Sequence, residues 1–194
     1  MDAPLIWVMA YLLGAIPCGV LVARAKNINI REHGSGNIGA TNVARILGKK
    51  DGALTLAGDC SKGLIAAVAA AHTLDHPAEI AWVGLFAVAG HSYSVFLKFK
   101  GGKGVATGLG VFIYLMPLAA FSSIAVFVAT LGISRYVSIG SMLGALSLPL
   151  FGLLFKMPLP YLYSSMTIAL FIIFKHHENI QRLFAGTESK LLKK

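Results

Sequence analysis

Long apolar runs alternate along this chain with short polar, glycine-rich breaks, and that alternation predicts helices long enough to cross a bilayer. Residues 4–24, 53–73, 77–97, 138–155 and 158–175 are each apolar over about the length a span requires. Residues 104–134 are too long for one ordinary span, and Pro117 after Met116 offers a break that gives 104–115 and 117–134. Pro17 predicts a kink in the first run, and Pro158 and Pro160 mark the start of the last helix. The expected fold is therefore all-α and polytopic, with seven spans if the break at Pro117 is made and six if it is not.

Charge decides between these counts. With seven spans, the N-terminus outside and the C-terminus cytoplasmic, the inner loops hold Arg24, Lys26, Arg31, Arg45, Lys49, Lys50, Lys98, Lys100, Lys103, Arg135, Lys175, Arg182, Lys190, Lys193 and Lys194. Only Lys156 falls outside, and Lys62 lies within a span. With six, Arg135 and the basic tail move to the outer face, against the excess of positive charge that cytoplasmic loops carry. Seven spans imply a stubby fourth helix, since residues 104–115 rise only about 18 Å against a hydrocarbon core of roughly 30 Å. Either the bilayer thins there or the helix starts below the surface, which would put the turn before it in a medium of lower dielectric.

Composition agrees with a membrane protein. With 56% hydrophobic and 13% charged residues, 194 residues carry too little polar sequence to coat a soluble domain. One transmembrane domain over 1–194 is expected, with any chemistry in loops and helix ends. The net charge of +9 accompanies no nucleic-acid module, so nucleic acid is excluded as a partner and anionic lipid or phosphorylated substrates fit better. Cys18 and Cys60 stand in apolar surroundings without metal-ligand spacing and read as packing residues. The eight acidic residues do not cluster, so no metal or other cofactor is expected. Asp2, the lack of an N-terminal basic cluster and the lack of a small-residue cleavage site favour a retained first helix over a signal peptide.

Three polar segments fall on the cytoplasmic side of this topology. In the first, Ser35–Arg45 (SGNIGATNVAR), glycines permit tight turns, Ser35 or Asn37 can cap a short helix, and Thr41 and Arg45 share one helical face. A capped helix start with an arginine suits a phosphate, though an interfacial amphipathic helix would read the same way. In the second, Gly101, Gly102 and Gly104 surround Lys103 ahead of an apolar helix that carries Thr107, an arrangement suited to an anion. It is not a nucleotide loop of the G-x-x-x-x-G-K-[ST] kind, because Leu97 replaces the first glycine and Gly104 follows the lysine. Lysines held by lipid phosphates are the plainer alternative. In the third, His176–Glu188 (HHENIQRLFAGTE), His176 and Asn179 are one turn apart and Arg182 follows three residues later. A histidine at a helix end also commonly serves only the last carbonyls.

Asp59 and Lys62, at i and i+3 inside a span, are expected to pair and to hold their helix to the first loop. His91 reads as a satisfied polar group, and Ser141 as a hydroxyl within reach of a site.

At 35–45, 90–107 (GHSYSVFLKFKGGKGVAT) and 176–188 the chain resembles the three signature segments of the bacterial acylphosphate:glycerol-3-phosphate acyltransferases. The resemblance implies a bacterial inner-membrane enzyme with its site on the cytoplasmic face, moving a fatty acyl group from acyl phosphate to the 1-hydroxyl of sn-glycerol 3-phosphate. It implies that Ser35 and Arg45 are essential, that Gly101, Gly102 and Gly104 bind phosphate, that His176 and Asn179 contribute to the site, and that Glu188 is structural. On that reading Ser35, Asn37, Thr41, Arg45, Gly101, Gly102, Lys103, Gly104, Thr107, Ser141 and Arg182 handle the phosphates. Ser35, Arg45, Lys103, Asn179 and His176 carry the catalysis, with His176 or a substrate phosphate taking the proton. Acyl phosphate, glycerol 3-phosphate and membrane lipids are the expected partners of a monomer. A transporter or channel for a phosphorylated solute is the non-enzyme alternative, but it would need charged residues at mid-membrane from several helices. A transferase of the CDP-alcohol type would need an aspartate array that the sequence after Asp51 lacks.

Overall fold

The computed structural model describes residues 2–191, and every regular element among them is helical. Lys193 and Lys194, expected on the inner side, lie outside the described residues. The chain divides into two compact units, Met1–Tyr114 and Leu115–Lys194.

In the first unit, α1 (Ala3–Ala15) and α2 (Cys18–Arg24) are separated at Pro17, which has no N–H to donate and so interrupts the ladder as its position predicts. α3 (Ala40–Leu47) runs into α4 (Lys49–Thr73) through Gly48, whose φ of 98° turns the chain where an L side chain would be strained. α4 thus begins four residues before the apolar run that predicted it. α5 (Pro77–Ser92) is shorter than the expected span over 77–97. A continuing helix would give the His91 and Ser92 carbonyls to residues 95 and 96; instead they accept from the Gly102 and Gly101 amides, each at 3.1 Å. Ser94 Oγ meanwhile donates to the Ala15 carbonyl at 2.6 Å. A 3-10 turn at Val95–Leu97 follows, with Lys98 and Phe99 in the left-handed region, before α6 (Val105–Leu115).

Glycines set how closely these helices approach. A side chain at Gly14 would strike the Ala87 backbone and one at Gly90 the Tyr11 backbone, so α1 and α5 pack main chain to main chain. Gly63 against Thr107 and Gly110 against Cys60 do the same for α4 and α6.

In the second unit, α7 (Pro117–Ser134), α8 (Val137–Leu154) and α9 (Leu159–Lys175) pack in sequence, and α10 (His177–Phe184) follows directly. Pro117 opens α7 as the break predicted there requires. Gly140 and Gly144 admit Phe127 between α7 and α8, and Gly152 sits against Leu162 and Met116. Pro149 lies inside α8, a feature the hydropathy pattern did not single out.

Among the described residues, five segments are long and apolar enough to cross a membrane: Ala3–Arg24, Lys49–Thr73, Pro77–Leu97, Pro117–Ser134 and Val137–Leu154. Val105–Leu115 and Leu159–Lys175 are apolar but shorter.

Candidate functional site

The first polar segment is organised by a residue that the motif reading passed over. Asn42 is buried, and its amide nitrogen donates to the carbonyls of Asn37 at 2.9 Å, His33 at 3.0 Å and Ile30 at 3.4 Å. Its Oδ1 accepts from the Ser35 amide at 3.0 Å. The loop from 30 to 37 is wound around one side chain, and Gly34, at φ 62°, leaves the room it needs. The expected helix cap is corrected: α3 is capped by Gly39 with no side-chain bond, and Asn37 Oδ1 accepts from the Gly39 amide at 2.8 Å just outside it. What this geometry presents outward is Ser35 and Arg45. Both are exposed, and among the described residues neither side chain has a hydrogen-bond or ion-pair partner. Thr41 lies one turn before Arg45 on α3, as expected.

The second segment is tied to the first. Arg31 Nη2 donates to the Lys100 carbonyl at 3.1 Å, and Leu97 joins Val20, Ala23, Ile30, Ile38 and Val43 in one buried cluster. Within the turn, Gly101 and Gly102 depart from expectation. Their amides donate to the Ser92 and His91 carbonyls, each at 3.1 Å, which commits both N–H groups within the protein. A side chain at either glycine would collide with the His91 carbonyl or ring, so what these positions require is the absence of a Cβ. Lys103 is half-buried between Gly102 and Gly104, which has a φ of 84°. Thr107, expected to contact phosphate, is fully buried, its carbonyl packed on Gly63.

Asp59 and Lys62 pair as expected, with Nζ 2.9 Å from Oδ1, but they do not reach the first loop. Lys62 also donates to the Ile16 carbonyl at 2.9 Å and lies 2.9 Å from His91 Nδ1, so the pair binds α4 to α5 and to the α1–α2 break.

In the second unit, the third polar segment is held by Glu188. Its Oε1 accepts from Asn179 at 2.6 Å and from Ser138 at 2.7 Å, and its Oε2 from Arg182 Nε at 2.8 Å. Burial pulls the Glu188 carboxyl up, but the bonds from Arg182, Asn179 and Ser138, together with the Arg182 charge, outweigh it and hold the group below its usual range. Arg182, expected to bind phosphate, is instead neutralised by Glu188 and, at 3.8 Å, by Glu178, because the chain after α10 folds back over it. His176 joins α9 to α10 and is buried; its Nδ1 lies 2.7 Å from the Ile172 carbonyl. A carbonyl can only accept, so the Nδ1 proton is fixed there and Nε2 is left as the basic nitrogen. Ser141 is buried in the second turn of α8.

The family profile described as glycerol-3-phosphate acyltransferase matches residues 4–186. The chain belongs to the glycerol-3-phosphate acyltransferase family. It is 52% identical over 193 residues to the glycerol-3-phosphate acyltransferase of Trichlorobacter lovleyi, covering 98% of each chain. It is 45% identical over 188 residues to that of Geobacillus kaustophilus, covering 96% of this chain and 95% of the relative. Among solved structures, the glycerol 3-phosphate form of PlsY (YgiH), an integral membrane glycerol 3-phosphate acyltransferase, superposes with a TM-score of 0.94 at 41% identity, over 98% of this chain and 96% of that one. The lysophosphatidic acid form of PlsY gives 0.92 at the same identity. With its apolar helices, the likeness makes this family member a multi-pass membrane protein.

Sequence reasoning missed Asn42 and Ser138 and gave His91 no partner. An asparagine in the first turn of a helix that follows a glycine-rich loop is a readable signal for Asn42, since such a loop must satisfy its carbonyls somewhere. Nothing local marks Ser138, whose partner is fifty residues away.

Proposed function

We propose that this chain transfers a fatty acyl group from acyl phosphate to the 1-hydroxyl of sn-glycerol 3-phosphate, forming lysophosphatidic acid and phosphate. The observation that carries the reading is the near full-length identity of 52% to a glycerol-3-phosphate acyltransferase. It is supported by the exposed Ser35, on a loop bonded to the Lys103 turn, and by the exposed Arg45 on the helix α3 that follows that loop.

Acyl phosphate is a mixed anhydride, so no covalent enzyme intermediate is needed. The glycerol hydroxyl attacks the acyl carbon, the carbon–oxygen bond to phosphate breaks, and phosphate leaves with the electron pair. Arg45, by its two-pronged fork, and Lys103, by its charge, neutralise phosphoryl oxygens, with Ser35, Thr41 and the Gly104 amide completing the contacts. Asn179, its amide nitrogen held by Glu188, orients the hydroxyl. His176, with Nε2 as its basic nitrogen, takes the proton, or a substrate phosphate with a second pKa near 6 does so. Ser141 is assigned a supporting contact. The orientation we assign has seven spans, the N-terminus outside and the reacting groups at the cytoplasmic surface of the bacterial inner membrane. The enzyme acts as a monomer.

Incubation of the purified protein with acyl phosphate and labelled glycerol 3-phosphate, without metal or coenzyme A, tests this directly. Labelled lysophosphatidic acid is expected, and its absence from folded protein rejects the reading. In the same assay His176→Ala lowers the rate by about 10²-fold or more if the histidine is the base; a smaller loss assigns the proton to substrate phosphate.

A further inference from the structure

Asp59, Lys62 and His91 are 2%, 3% and 5% exposed, inside α4 and α5. Holding three helices together does not require them, because a well-packed apolar trio would serve as well or better. What a charged trio adds is direction. The Lys62 ammonium lies 2.9 Å from the Ile16 carbonyl, from His91 Nδ1 and, as an ion pair, from Asp59 Oδ1, which is itself 3.5 Å from His91 Nδ1. An ammonium can only donate, so His91 is held as the tautomer protonated on Nε2, with its ring plane fixed. That ring is the floor of the glycine turn. A Cβ at Gly102 would collide with Nε2 and come within 3.0 Å of Cε1 and 3.1 Å of Cδ2. The backbone of the same short stretch takes the Gly101 and Gly102 amides. The residue that follows Gly102 is Lys103.

We infer that Asp59, Lys62 and His91 are positioning residues for acyl transfer: by fixing the His91 ring they set the conformation of residues 100–104 and so the aim of Lys103. The inference rests on the proposed role of Lys103 at a substrate phosphate and extends it to a buried trio that touches no substrate. A purely structural ion pair would change stability alone. A positioning trio changes kinetics through one residue.

The test compares His91→Leu, which removes the acceptor for Lys62, with His91→Asn, which keeps one near Nδ1, each alone and combined with Lys103→Ala. Rates are measured with acyl phosphate and glycerol 3-phosphate in lipid nanodiscs, beside the melting temperature and amide hydrogen exchange. We expect His91→Leu to lower kcat/KM by about 10- to 100-fold, the scale of a misplaced catalytic group. Exchange at Gly101 and Gly102 should quicken while that of α7 to α9 is unchanged, and His91→Asn should keep most of the activity. Added to Lys103→Ala, His91→Leu should cost little more, because both losses act through one side chain. Wild-type kcat/KM in His91→Leu, an additive loss in the double variant, or unchanged exchange at the two glycines overturns the inference and leaves the role of Lys103 intact. A Lys103→Ala enzyme with wild-type activity overturns both. Should His91→Leu fail to fold, Asp59→Asn carries the same comparison: reduced kcat/KM at an unchanged melting temperature is expected, and unchanged kcat/KM rejects the proposal.

Discussion

Single side chains hold the first and third polar segments in shape, and each fails in its own way. Asn42 satisfies three carbonyls and one amide from a fully buried position. Asn42→Ala strands those groups, and we expect a loss of about 1–3 kcal/mol, read as a lower melting temperature in detergent, with activity falling because Ser35 loses its anchor. Glu188 makes a different prediction. Its carboxyl is held below the ordinary value of 4.5, so the folded state binds the proton less well than the unfolded chain. Its stabilising contribution is complete above that value and declines as pH falls through the lowered one. Melting temperatures taken from pH 6 down to pH 3 should show this decline in the wild type and a shallower one in Glu188→Gln. A Glu188→Gln profile as steep as the wild type would mean that other carboxylates carry the acid sensitivity.

Helix pairs in this protein are set by where side chains are missing. α4 and α6 touch through Gly63 and Gly110, where a Cβ would meet main-chain atoms that cannot move aside. Gly63→Ala and Gly110→Ala should each cost about 1–3 kcal/mol in resistance to unfolding, the range for overpacking. Gly132, inside α7, where an added Cβ would meet nothing within 4 Å, is the contrasting case. Gly132→Ala should be neutral or stabilise by about 0.5–1 kcal/mol, since alanine loses less backbone freedom in a helix. Thermal melts of the three variants decide the matter. The same scale explains why α5 stops short. Hydropathy continues through Leu97, but the His91 and Ser92 carbonyls find better-placed donors in the Gly102 and Gly101 amides of the following turn. Hydropathy reports which residues avoid water; it does not report which amide takes a carbonyl.

For the molecule as a whole, the distribution of basic residues makes a prediction about orientation. Of the loops, only that at Phe155–Met157 carries its basic residue, Lys156, on the expected outer side. A reporter active only outside the cytoplasm should work when inserted at Lys156 and fail when fused to the C-terminus; the reverse pattern would reject the seven-span assignment. By itself the sequence determined the all-helical, membrane-embedded class, the breaks at Pro17 and Pro117, and the three polar segments from which the family was named. These are properties of residue type, spacing and local chain stereochemistry, which a linear string carries in full. Only the tertiary structure decided that the Gly101 and Gly102 amides serve His91 and Ser92, that Arg182 is neutralised by Glu188, and that Lys62 reaches His91 and Ile16 across helices. Each is a choice among many chemically equivalent partners, and a hydrogen bond's partner is fixed by the few ångströms that packing allows.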